Sequence, residues 1–174
     1  MIGLQWYIHH IIGSSHILIF TLLDKEFIQV YNIHNLLCYF HMTYYLSDTI
    51  HQLAYERNIG YIIHHLFTFY QINTIRSVAN IEAQIICNNC FGLLEFNSLI
   101  LLVRSDLKET KKLTTQIDII MYLSYFITRA IMFPYYIYIM SEYTPIYISS
   151  GIYLMSMKWL YDWTIKLNKR IKSG

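Results

Sequence analysis

Hydrophobic and polar positions along this chain fall into long blocks. Six mainly apolar stretches follow one another at residues 6–23, 35–55, 61–79, 81–103, 114–140 and 146–165. Each is close to the ~20 residues that cross ~30 Å of hydrocarbon as a helix. The breaks between them are short and polar, such as Glu56-Arg57-Asn58; only Asn80 and Glu82 mark the turn between the third and fourth. The pattern predicts an all-α membrane protein, a bundle of about six transmembrane helices.

The polar residues inside these stretches are not scattered. The second carries His41, Tyr44, Asp48 and His51 at spacings of three and four, which stack on one helix face. The third places His64, Thr68 and Gln71 on one face, with His65 rotated by about 100°. The fourth stacks Gln84, Asn88, Gly92 and Glu95; the fifth stacks Asp118, Tyr122, Tyr125 and Arg129 ahead of Pro134. Stripes of this kind on apolar helices are expected to face the bundle interior, and ionisable groups within a span mark candidate functional sites.

A rise of 1.5 Å per residue puts Asp48 roughly 10 Å, His64 roughly 6 Å and Glu95 roughly 12 Å from one membrane face, with Arg129 deeper at roughly 20 Å. A histidine pair and two carboxylates therefore converge in one half of the bilayer. The bland alternative is that these groups tie helices together by hydrogen bonds, at ~0.6–2 kcal/mol each; for His41 and Asn88 that is the preferred reading. His9 and His10 read as helix-face or interface residues, whereas His16 lies deeper. The histidines show no recognisable ligand spacing, so no metal site is expected.

Composition narrows the class. Charged residues make up 14% of the chain and hydrophobic ones 55%, with a mean hydropathy of +0.34. A soluble domain carries about 25% charged residues. The net charge of +2 gives no case for a nucleic-acid partner. The basic residues instead report topology. Arg104, Lys108, Lys111 and Lys112 lie in one connection, and Lys166, Lys169, Arg170 and Lys172 near the C-terminus. With six spans both clusters and both termini fall on one side, the cytosolic one by lysine and arginine excess. The first stretch lacks a basic leader and a small-residue cleavage site, so it is expected to be retained. Cys38, Cys87 and Cys90 all lie in apolar segments and read as buried thiols. The expected organisation is one transmembrane domain at 1–167 and a short, frayed basic cytosolic tail at 168–174.

Several short motifs resemble the TLC-domain family, which groups TRAM, Lag1-type ceramide synthase and CLN8 proteins. They are Ser15-His16, Tyr45-Leu46-Ser47-Asp48, His64-His65-Leu66-Phe67-Thr68, Leu94-Glu95-Phe96-Asn97-Ser98 and Thr128-Arg129 with Pro134, in that order. The fourth of these is most similar to the TLCD4-like branch. The resemblance implies a bundle enclosing a lipid-sized cavity, usually in the endoplasmic reticulum. It also implies that His64 and His65 correspond to the histidine pair that ceramide synthases need for acyl transfer from acyl-CoA to a sphingoid amine. Those enzymes carry two aspartates in the following span, at positions matched here by Glu95 and Ser98.

Two functions are therefore expected in competition. One is acyl-CoA-dependent N-acyl transfer, with His64, His65 and Asp48 catalytic and Glu95, Thr68, Arg129 and His16 binding substrate. In it one imidazole is the general base, the other or Asp48 orients it, and Glu95 holds the amine's charge. The other is a non-enzymatic lipid-binding, lipid-sensing or cargo protein, with a membrane scaffold as a third class. Membrane lipid is the expected partner in both of the first two, and no cofactor is expected to be tightly bound.

Overall fold

The computed structural model describes residues 4–30, 32–56 and 58–173, and all its regular structure is helical. Six long helices and one short one follow the apolar blocks: α1 Leu4–Leu22, α2 Lys25–Val30, α3 Ile33–His51, α4 Ile59–Arg76, α5 Ile81–Glu109, α6 Thr115–Phe126 with α7 Phe133–Met140, and α8 Ile146–Ser173. α6 and α7 form one rod through a π turn at Ile127–Met132; a second π turn, Gln52–Glu56, extends α3.

Local chemistry sets the ends. The Asp24 carboxylate accepts the Glu26 N–H at 2.7 Å and opens α2. Asn58, Asn80 and Thr114 cap α4, α5 and α6 by accepting backbone N–H groups with their side-chain oxygens. α5 ends with Lys111 in the left-handed region, at φ 56, and Lys112 N–H bonded back to the Leu107 carbonyl, a Schellman closure. Pro134 lacks an N–H and clashes with the turn before it, and the rod accommodates it by widening into the π turn that holds Arg129.

α5 is the central element. It packs along α1 and also meets α6, the π turn and α7. α3 and α4 form a second antiparallel pair, and α8 closes against α4, α6 and α7. The distribution of side chains is inside out relative to a water-soluble bundle. Leu4, Leu18 and Leu22 of α1, Leu36 of α3, Ile59 of α4, Ile120 of α6 and Leu154 of α8 are exposed, while His9, His16, His34, His41, Glu95, Asn97 and Arg129 are buried. Apolar exteriors over polar interiors are what a lipid solvent selects. Two helices, Ile81–Glu109 and Thr115–Met140, are long and apolar enough to cross a membrane by length and hydropathy. The tyrosines, histidines and asparagines of the other four long helices lower their apolar content.

The apolar core is in two parts. One, around Ile72, Cys87, Phe91, Phe133 and Ile152, joins α3, α4, α5, α7 and α8. The other, around Ile100, Tyr125, Leu160 and Trp163, joins α5, α6 and α8. All three cysteines are free and buried, as the sequence suggests. One expectation changes. The segment from Asn168 continues α8 as helix through Ser173, where basic residues suit the C-terminal end of the helix dipole. Arg57 of the expected polar break lies outside the described residues.

The α1–α5 seam is unusually close. Gly13 faces Glu95 and Gly92 faces Ile17. A Cβ on Gly13 would stand 2.5 Å from Glu95 Cγ and 2.7 Å from its Cβ, too near for the side chain to swing aside. Gly13→Ala is therefore expected to destabilise the protein by about 1–3 kcal/mol, as overpacking does. Thermal melting in detergent reads this; an unchanged midpoint would mean that the seam is looser than described.

Candidate functional site

The two polar stripes predicted on α3 and α4 meet. Asp48 and His65 are buried, and His65 Nδ1 stands 3.1 Å from Asp48 Oδ2. That is ion-pair distance, although the N–H does not point along the line a hydrogen bond requires. The His65 ring sits edge-on to Tyr45 at 5.2 Å and to Tyr61 at 6.2 Å. His64, rotated round the helix, packs edge-on to Trp159 of α8 at 5.1 Å, and its Nδ1 is buried with no hydrogen-bond partner. Thr68 turns its hydroxyl back to the His64 carbonyl at 2.9 Å.

Three spaces surround these residues. A crevice of about 220 Å³ is lined by Asp48, Gln52, Tyr61, His64, His65 and Trp159, with Trp6 and His10 on its α1 side. An open groove of about 690 Å³ runs between α1 and α3, lined by Trp6, Ile8, Leu36, Phe40 and Tyr44 and ending at Asp48 and His51. Its size is that of a small-molecule site. Between the helices, next to Thr68, Glu95 and Arg129, lies a cavity of about 20 Å³, room for roughly one water. The two larger of these spaces open outward, the groove because α1 touches α3 only lightly. Asp48 lines both groove and crevice, and His64 lines both crevice and inner cavity.

The remaining expected site residues lie deeper. Glu95 is buried behind the crevice. Tyr45 donates its hydroxyl to Oε1, while His10 Nδ1 stands 2.5 Å and His9 Nε2 3.3 Å from Oε2. His16 does not reach the crevice; its Nε2 pairs with His41 Nε2 at 3.0 Å, and His41 Nδ1 in turn lies 3.3 Å from His9 Nδ1. Arg129 faces protein, as an arginine at that depth should. It donates to the Ser156 hydroxyl and the Leu94 carbonyl, each at 3.1 Å, and lies against the Tyr125 and Phe133 rings.

Asn88 behaves as a helix tie. It donates to His34 Nδ1 at 2.7 Å, which leaves His34 Nε2–H for the Ile75 carbonyl at 3.1 Å. His41, given the same bland reading, instead joins the row from His16 to Glu95. His9 and His10 are the residues that the sequence reading undervalued. The available signal was His9, Gly13 and His16 at i, i+4 and i+7 on one face, with the glycine marking a close helix approach.

The family model of the TLC domain, covering TRAM, LAG1 and CLN8 proteins, matches residues 26–167. No curated protein and no solved structure gives a significant match to the chain. The matched span holds Asp48, His64, His65, Glu95 and Arg129, and leaves α1 with its three histidines outside.

Proposed function

This chain belongs to the TLC-domain family of membrane lipid-related proteins, and from that premise we propose that its crevice transfers a fatty acyl group from acyl-CoA to the amine of a sphingoid-like lipid. The Asp48–His65 pair at the crevice wall carries this reading, since a carboxylate beside one imidazole nitrogen leaves the other free as a base. His65 takes a proton from the amine, and the nitrogen attacks the thioester carbonyl. The C–S bond then breaks, an amide forms, and the proton leaves with the CoA thiol. His64, whose ring lies 5.7 Å from that of His65, orients the reacting groups beside it. Thr68 and Arg129 act from behind it, Thr68 by fixing the His64 turn and Arg129 by positive charge.

The lipid amine reaches the site along the α1–α3 groove, from the side, and acyl-CoA from the aqueous end. In this arrangement the bundle crosses the membrane of the endoplasmic reticulum six times, with both termini cytosolic. Tags placed at either terminus are then expected to be digested by protease added to sealed microsomes. Protection of either tag would remove the six-span arrangement.

One observation favours a carrier instead. Glu95, which the transferase reading assigns to the amine's charge, is occupied by Tyr45 and two histidines and does not line the crevice. Incubating purified protein with labelled acyl-CoA and a long-chain base separates the two. Labelled amide supports transfer. No product, together with an intact lipid recovered by mass spectrometry of the purified protein, supports the carrier.

A further inference from the structure

We propose that His9, His10 and Glu95 hold a divalent transition-metal cation at the α1–α5 seam. Nε2 of His9, Nδ1 of His10 and a Glu95 oxygen all lie within 4.8 Å of one another; the His9 and Glu95 side chains are buried and that of His10 is nearly so. Adjacent histidines point about 100° apart on a helix, so they rarely converge. They do so here because Gly13, one turn on, has no side chain and lets the Glu95 carboxylate come between them.

The surroundings orient each donor. Tyr45 holds Glu95 Oε1, which leaves Oε2 to face both imidazoles. The His9 ring is clamped by stacking on Tyr44, with centroids 3.4 Å apart. Its Nδ1 meets His41, whose other nitrogen meets His16. In one of the two proton arrangements of this row, His9 donates Nδ1–H to His41 and presents a lone pair at Nε2. Outer contacts of this type fix the tautomer of a metal-bound histidine.

His9 Nε2 is the second, independent pointer. It is buried 3.3 Å from the Glu95 carboxylate, and no aligned hydrogen bond satisfies it. A cation between the two would satisfy it and neutralise a carboxylate whose direct contacts are a phenol and imidazoles. Donor atoms around a tetrahedral zinc stand roughly 3.4 Å apart. His9 Nε2 is already 3.3 Å from Oε2, and His10 Nδ1, at 2.5 Å, has to draw back by under ~1 Å. Two imidazoles and one carboxylate suit zinc or iron over magnesium or calcium. Three protein donors leave one position open, and His10 is the donor that also lines the crevice.

The test uses the full chain, purified in detergent with a histidine-free tag and no chelator. Metal content by plasma mass spectrometry, and titration of chelator-stripped protein with Zn²⁺ and with Co²⁺, are the readouts. The expected result is one equivalent per chain and a d–d absorption band with Co²⁺. His10→Gln and Glu95→Gln, with circular dichroism confirming their helix content, are expected to weaken binding at least ten-fold. His51→Ala, which changes an exposed histidine outside the set, is expected to keep the full equivalent. A wild-type chain that takes up no metal in either titration overturns the proposal and leaves a carboxylate held by hydrogen bonds alone. So does undiminished binding in folded His10→Gln and Glu95→Gln. None of these readouts depends on acyl transfer.

Discussion

Asp118→Ala is expected to lower stability by about 3–5 kcal/mol, the loss that follows when one partner of a buried charge cluster is removed. Asp118 sits in the first turn of α6 with its carboxylate buried. Oδ1 accepts Arg104 Nε at 2.6 Å and Trp163 Nε1 at 2.9 Å; Oδ2 accepts Arg104 Nη2 at 3.3 Å and Arg170 Nη1 at 2.6 Å. One side chain thereby ties α5, α6 and α8 together at the end of the bundle where the basic residues gather. The Arg104 guanidinium also lies 4.3 Å from the Trp163 ring centroid, so the tryptophan is held by face and by edge. Removing the carboxylate strands an arginine and an indole N–H in the second core.

Asp118→Asn keeps an acceptor for Trp163 and is expected to lose less. Arg170→Ala removes a third-exposed partner, for which a loss of about 1 kcal/mol or less is expected. Denaturant or thermal unfolding in detergent ranks the three. An Asp118→Ala midpoint equal to that of Arg170→Ala would show that the cluster contributes no more than a surface ion pair.

The same residue illustrates what the sequence makes legible. The stripe Asp118, Tyr122, Tyr125, Arg129 follows helical periodicity, so its inward face could be read from spacing alone. Its partners could not, because Arg104, Trp163 and Arg170 come from helices whose mutual order the pattern does not encode. Asp48 and His65 were legible together because a single short connection makes α3 and α4 antiparallel neighbours. Glu95 was legible as a buried carboxylate, but its partners are Tyr45 on α3 and two histidines on α1, far away in sequence. There the histidines stand next to each other and resemble interfacial residues. The outward-opening groove was also hidden, since it arises from the loose meeting of α1 and α3, and tertiary packing of that kind leaves no periodic trace.

Asp48→Asn and His65→Ala are each expected to reduce acyl transfer by about 100-fold or more, the usual contribution of a positioned general base. Asparagine keeps the shape of Asp48 but removes the charge opposite His65 Nδ1, so the imidazole loses the group that fixes its orientation. Residues that act as a unit are non-additive, and the double variant is expected to be no worse than His65→Ala alone. His64→Ala is expected to reduce transfer as well. Its ring packs on Trp159 and lies 5.7 Å from the ring of His65, the partner of Asp48, so its effect is expected to be coupled to that of Asp48→Asn and to fall short of multiplying with it. Because His65 is buried and His64 half-buried, fold integrity is the necessary control, read as retained helix content and an unchanged elution volume. A second readout separates chemistry from binding. Lipid recovered with the folded His64→Ala and His65→Ala variants is expected to match the wild type, because the α1–α3 groove that would hold the chain of the lipid is lined by Trp6, Leu36 and Phe40 and by neither histidine of the pair. Wild-type activity with fully active His64→Ala and His65→Ala variants would return both residues to helix packing, where the α4 histidines would do no more than the Asn88–His34 tie does on the opposite side of the bundle.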